Sequence, residues 1–226
     1  MDIDPPYSAP EYRSTELRAP RRRLTPLPPE LVPQTSPIFG TDDVEPGDAD
    51  LTAGYGGSPQ GQRIIVSGRL QGSDGLLLAG QLVEVWQCNA AGRYAHDADQ
   101  HPAPLDRHFT GAGRCLTDKA GGFRFITIRP GAYPWRNHVN AWRPAHIHFS
   151  VFGRTFAERL VTQMYFPGDP LLDFDPIFQA VRDPGARARL ISRFDWATTE
   201  PEVALGYRFD IVVGGHLATP AEAGSS

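Results

Sequence analysis

The sequence predicts an all-β protein: an antiparallel β-sandwich with short helical segments and a proline-rich extended N-terminal arm. Three observations lead there. From Arg63 onward, short runs of β-branched and aromatic residues alternate with turn clusters. Seven or so such runs come in quick succession, the spacing of a sandwich or barrel. And nine of the 22 prolines lie in the first 40 residues, which bars that segment from a central strand or a long helix.

The elements follow in order. Residues 1–62 are the arm and its loop, and "FGTDDVEPGDADLTAGYGGSPQGQ" (39–62) is acidic, glycine-rich and without periodicity. The arm is extended, either loose or laid along another surface. "RIIVSGRL" and "QLVEVWQC" are strands parted by the turn cluster "QGSDG". "GRCLTD" and "GGFRFITI" follow, with "DKAGG" as a hairpin-type connection. "PAHIHFSVFG", "RLVTQMYF" and "YRFDIVVGG" complete the strands of a folded domain over 63–215. One helical region is expected near 176–194, where "RDPGARARLISRF" offers Asp183 as N-cap and Pro184 at the first helical position. The tail "HLATPAEAGSS" (216–226) reads as disordered.

Composition narrows the function. The 226 residues carry a net charge of −4, and the 22 basic residues include one lysine, Lys119. With no basic block beyond "RRR" at 21–23, there is no nucleic-acid footprint. No apolar run approaches the roughly 20 residues of a membrane span, and "MDIDPPYSAP" lacks the basic start and apolar stretch of a signal peptide. Two cysteines, Cys88 and Cys115, make no framework, so reduced thiols in a cytoplasmic protein are expected.

The chemistry concentrates in "WRPAHIHFSVFG" (142–153). On a strand, residues i and i+2 face the same way. Ile147, Phe149 and Val151 therefore share an apolar face for the core, while His146, His148 and Ser150 share the other. Two imidazoles side by side can present two nitrogens to one metal, or can be hydrogen-bonded histidines at a strand end. No glutamate stands four residues after His148, as a cupin-type site would want; the next is Glu158. The cysteines lack the C-x-x-C spacing of structural zinc, and no carboxylate is evident for an Fe(II) facial triad. What surrounds the pair is tyrosine and arginine, with Tyr94 in "GRYAH" and Tyr133 in "RPGAYPWRN". A phenol with a pKa of about 10 ligates as phenolate only beside a strong Lewis acid, and hard anionic oxygens favour Fe(III). Taken alone, Tyr94 reads as a turn tyrosine and Tyr133 as a packing aromatic before a proline.

"GRY", "PGAYPWRN" and "WRPAHIHF", in that order, resemble the intradiol ring-cleaving dioxygenases, and among them the iron-bearing β subunits of protocatechuate 3,4-dioxygenases. The likeness spans about Arg63 to Gly215, through "LVEVWQCNAAGRYAH", "APLDRHFTGAGRCLTD" and "TQMYFPGDP", and reaches weakly into the arm at "PEYRSTELRAP". The acidic 40–55 region departs from it. The resemblance implies a β-sandwich with one Fe(III) per chain held by Tyr94, Tyr133, His146 and His148, making 63–215 the catalytic domain. It implies that Tyr94 stays bound through turnover. Tyr133 leaves when substrate chelates, taking one of its protons. Arg143 is the cationic residue under the bound ring, and Gln163 stands near the site. Trp135 and Ile177 fall at the pocket wall, and Tyr12 is an arm tyrosine reaching the substrate. The implied reaction cleaves protocatechuate with O2 between its hydroxylated carbons to 3-carboxy-cis,cis-muconate, in a hetero-oligomer with a homologous α subunit. Enzymes acting on catechol or hydroxyquinol are the alternative; those relatives carry a helical N-terminal dimerisation segment, where this chain is proline-rich.

Overall fold

The computed structural model describes residues 3–11, 13–22, 43–136, 139, 142–153 and 159–222. Two sheets face each other. The first is organised by the long strand β1 (Arg63–Gly72). One edge of β1 pairs antiparallel with β4 (Gly122–Ile128), from Arg63↔Ile128 to Arg69↔Gly122. Its other edge pairs in parallel with two C-terminal strands in succession, β10 (Leu205–Arg208) and β11 (Ile211–Val213), and β9 (Arg193–Phe194) extends the sheet beyond β10. The second sheet is antiparallel throughout, in the order β3 (Ala112–Leu116), β2 (Leu82–Trp86), β7 (His146–Phe152), β8 (Arg159–Tyr165). A two-residue ladder joins β5 (Tyr133–Pro134) to β6 (Trp142–Arg143).

The inner faces meet as alternation demands. Ile64, Val66, Phe123 and Phe125 of one sheet pack on Val83, Val85, Ile147, Phe149 and Val151 of the other. Each such side chain contributes roughly 1.5–3 kcal/mol relative to exposure. Gly68 lets the return from β10 to β11 lie against β1: a Cβ there would collide with the Phe209 carbonyl and the Phe123 ring, and Phe209 N–H donates to Ser67 O at 2.8 Å.

The all-β sandwich is therefore as expected, with differences in detail. It is not wholly antiparallel, because β10 and β11 run alongside β1. "DKAGG" closes as a tight turn, with Gly121 N–H donating to Asp118 O at 2.9 Å and Asp118 N–H to Gly122 O at 2.8 Å, but no ladder follows it: β3 pairs with β2 and β4 with β1, so the connection steps between sheets. The helical region over 176–194 is two helices of five residues, Pro176–Ala180 and Pro184–Ala188, followed by β9. Asp183 caps the second by accepting from Ala186 N–H at 2.6 Å. In the tail, Ala218, Thr219 and Pro220 are buried and Ala221 and Glu222 partly so. The arm lies on its own chain where it is described: Ala9 is buried against Ile177 and Trp135. Leu51, from the acidic loop, is part of the main core.

Candidate metal centre

Strand register builds the site. On β7, His146 and His148 take the face opposite Ile147, Phe149 and Val151. On that face the β2 pairing sets Trp86 opposite His148, and the rings stack at 4.8 Å and 6°. The β8 pairing sets Tyr165 opposite His146 and Gln163 opposite His148. The β5–β6 ladder sets Tyr133 opposite Arg143, and Tyr133 Oη reaches within 3.5 Å of His146 Nε2. Tyr94 arrives from the loop after β2. Asn89 folds that loop by accepting from the N–H groups of Ala91 and Arg93, and Asp99 accepts from Tyr94 N–H at 2.8 Å. Gly92, at φ +79°, permits the approach, since a Cβ there would strike the Ala132 carbonyl just before Tyr133.

Four side chains thus converge. Ring centroids are 5.5 Å apart for Tyr94–Tyr133, 6.4 Å for Tyr94–His148, 5.5 Å for Tyr133–His146 and 4.8 Å for His146–His148. The outer nitrogens of both imidazoles are occupied. His146 Nδ1 is 2.7 Å from Pro144 O, and His148 Nδ1 is 3.1 Å from Glu222 Oε2. Since a carbonyl and a carboxylate can only accept, Nδ1 carries a proton in each, which leaves Nε2 as the nitrogen each ring can offer a metal. That is how metal-ligating histidines are held. Glu222 lies on the outer side of His148, so it does not complete a two-histidine, one-carboxylate triad. Among the described residues, no three His, Cys, Asp or Glu side chains are grouped to hold a metal; tyrosine has to supply the oxygens.

The electrostatics fit such a metal. Tyr94 Oη is buried without a hydrogen-bond partner, a costly state for a hydroxyl. Burial, then the neighbouring Tyr133, pushes the Tyr94 phenol well above its ordinary value, and burial also raises Tyr133 against the opposing Arg143 charge. Burial, Arg143 and His148 hold His146 well below the usual imidazole range, so it stays neutral. Two imidazoles and two phenols that need a cation to ionise form, once the phenols have ionised, a hard, anionic donor set suited to a trivalent ion.

Arg143 is 2% exposed and fully engaged. Its Nε and Nη2 donate to Asp175 at 3.1 and 2.8 Å, and Nη2 also donates to Gln163 Oε1 at 2.7 Å and Tyr165 Oη at 3.1 Å. Nη1 points to the site, 3.3 Å from His146 Nε2. Although burial opposes its charge, Asp175 and the tyrosines more than compensate, and the guanidinium stays charged. A cavity of about 600 Å³ opens over the tyrosines, bounded by Trp86, Tyr94, His96, Tyr133, Trp135 and Arg136. Trp135 is thus on its wall; Ile177 is buried behind it with Ala9. Tyr12 lies outside the described residues.

Three participants were not evident in the sequence. Asp175 precedes Pro176 and looks like a helix N-cap, yet its side chain makes no cap bond and binds Arg143 instead. Tyr165 follows from strand alternation, two residues after Gln163 on the same face. Glu222 gives no local signal at all.

A family model described as "Dioxygenase" matches residues 34–215, and one described as "Protocatechuate 3,4-dioxygenase beta subunit N terminal" matches residues 4–30. The chain is 58% identical over 220 residues to a protocatechuate 3,4-dioxygenase beta chain of Burkholderia cepacia, covering 96% of this chain and 93% of that one. It is 29% identical over 161 residues to a protocatechuate 3,4-dioxygenase alpha chain of Pseudomonas putida, covering 70% and 75%. The fold matches the crystal structure of 3-chlorocatechol 1,2-dioxygenase from Rhodococcus opacus 1CP with a TM-score of 0.56 at 22% identity, over 76% of this chain and 66% of that one.

Proposed function

The chain belongs to the intradiol ring-cleavage dioxygenase family, and on that premise we propose that it is the iron-bearing chain of a protocatechuate 3,4-dioxygenase. The reaction opens protocatechuate between its two hydroxylated carbons, with both atoms of O2 entering 3-carboxy-cis,cis-muconate. The observation that carries this reading is the convergence of Tyr94, Tyr133, His146 and His148, with the Nδ1 of both histidines engaged on their outer sides and the Tyr94 hydroxyl buried and unpartnered.

These four residues would hold one Fe(III) per chain. When bound, it supplies the Lewis acidity that ionises the two phenols and activates a chelated catechol toward O2. The remaining roles belong to the chain. Tyr133, at the cavity wall, would be one of the residues holding the metal, and its Oη would be the group placed to accept a proton from a substrate hydroxyl. Tyr94 is fixed by the Asn89–Asp99 loop and would hold the metal from that rigid position. Arg143 keeps Nη1 directed at the site while Asp175 and Gln163 hold its other nitrogens. A fixed cation in a water-poor pocket stabilises negative charge developing on the substrate without a proton transfer. Trp86 and Trp135 wall the cavity.

An α-type homologue completes the assembly in this reading, supported by the match to a beta chain and the separate likeness to an alpha chain. A cytoplasmic location accords with two free cysteines and with no helix, among the described residues, long and apolar enough to cross a membrane. O2 uptake with protocatechuate, catechol and hydroxyquinol, with and without a co-expressed α-type chain, tests the function. Protocatechuate is expected to give the highest kcat/KM, in the co-expressed sample. Equal efficiency on catechol, or full activity of this chain alone, would contradict the reading.

A further inference from the structure

We infer that Glu222 is a positioning residue for His148, clipped in place by both ends of the chain, and that it makes the two histidines unequal donors. The inference rests on the reading of His148 as an iron ligand. His146 gives its Nδ1–H to a neutral acceptor, the carbonyl of Pro144 two residues before it, at 2.7 Å. His148 gives its Nδ1–H to a carboxylate at 3.1 Å. A charged acceptor pulls harder on the Nδ1 proton than a neutral one, so His148 Nε2 is the more electron-rich of the two.

Glu222 is held firmly for a residue so near the C-terminus. Its own N–H donates to Val161 O at 2.7 Å. Thr162 Oγ1 donates to Pro220 O at 2.7 Å, so strand β8, which carries Gln163, also holds the tail. Ala221 N–H donates to Asp4 Oδ1 at 2.9 Å, which ties the N-terminal arm to the same segment. Thr219 exchanges bonds with Val212 at 2.9 and 3.1 Å. Trp86 stacks on the flat face of the His148 ring and sets its plane, and Glu222 sets its rotation and tautomer within that plane. The tail therefore does chemical work that its composition does not suggest.

The test compares wild type, Glu222→Gln and Glu222→Ala, each co-expressed with the α-type chain. Iron release to a ferric chelator, the position of the tyrosinate-to-iron absorption and kcat are measured on the same preparations. Glu222→Ala should lose iron about 10 to 100 times faster. Its absorption should move to longer wavelength, because a weaker imidazole donor leaves the ferric ion more readily reduced. Glu222→Gln keeps the volume and a neutral acceptor, so it folds and falls between the two. A role confined to anchoring the tail would lower the melting temperature of Glu222→Ala but leave the absorption in place. That result, or a wild-type iron release rate in both variants, would overturn the inference while leaving the metal centre intact. A wild-type protein without iron or colour would refute both.

Discussion

Replacement of Arg143 separates its structural role from its chemical one. The guanidinium is 2% exposed and Asp175 is fully buried, the two joined by bonds of 3.1 and 2.8 Å. Arg143→Ala removes the cation and leaves the Asp175 carboxylate alone in the interior. Breaking a buried pair this way costs about 3–5 kcal/mol. For a chain of this size each kcal/mol lowers Tm by about 2–4 °C, so a fall of roughly 6–20 °C is expected. Asp175→Asn in the same chain removes the stranded charge and should restore much of that loss. Turnover should behave differently. If Arg143 stabilises charge on the substrate, Arg143→Ala should lower kcat by about 10² to 10³, and the double variant should stay equally slow. Iron content should persist in both, since no ligand is lost. The assays are calorimetry, iron content and O2 uptake on matched preparations. A single variant that keeps kcat within a few-fold at full iron, or a double variant that recovers turnover along with Tm, would refute the assignment.

Other perturbations test other parts of the site. Gly92→Ala forces a side chain into a left-handed backbone position and against the Ala132 carbonyl. It should cost about 1–3 kcal/mol and alter the visible spectrum, because the loops bearing Tyr94 and Tyr133 meet there; an unchanged spectrum and Tm would contradict the packing described. The iron-free protein should lose stability in acid through His146. That imidazole stays neutral when folded but takes a proton near pH 6.5 when unfolded. Its contribution is complete above that value and declines as pH falls below it, by about 1.4 kcal/mol per unit until the folded group also titrates. Urea titrations between pH 7 and 5 on iron-free wild type and His146→Gln should diverge accordingly, and parallel curves would show that His146 is not buried neutral. Light scattering should give a larger, active assembly only when the α-type chain is present.

The sandwich was legible in the sequence because period-2 alternation is a local property. Ile147, Phe149 and Val151 face the core and His146 and His148 face the site, as spacing alone requires. The parallel pairing of β10 and β11 with β1 was not legible, since it joins residues about 140 apart and nothing local encodes it. The connection at "DKAGG" misled for the same reason: turn residues mark a reversal, not which sheet receives the next strand. Asp175 was visible as an acid before a proline, a pattern that fits a helix cap, but tertiary context gave its carboxylate to Arg143. Glu222 sits in an alanine- and serine-rich tail that composition marks as unstructured. Only its hydrogen bonds to β8 and His148 reveal that the tail belongs to the site.

The measurement that tests the central claim most directly is the metal content and visible spectrum of the purified protein, beside those of Tyr94→Phe and His148→Ala. The account predicts close to one iron per chain and a broad visible absorption from phenolate-to-Fe(III) charge transfer. Tyr94→Phe should weaken that absorption and His148→Ala should release iron. A colourless protein whose bound metal is zinc, or iron and colour unaffected by both substitutions, would contradict it.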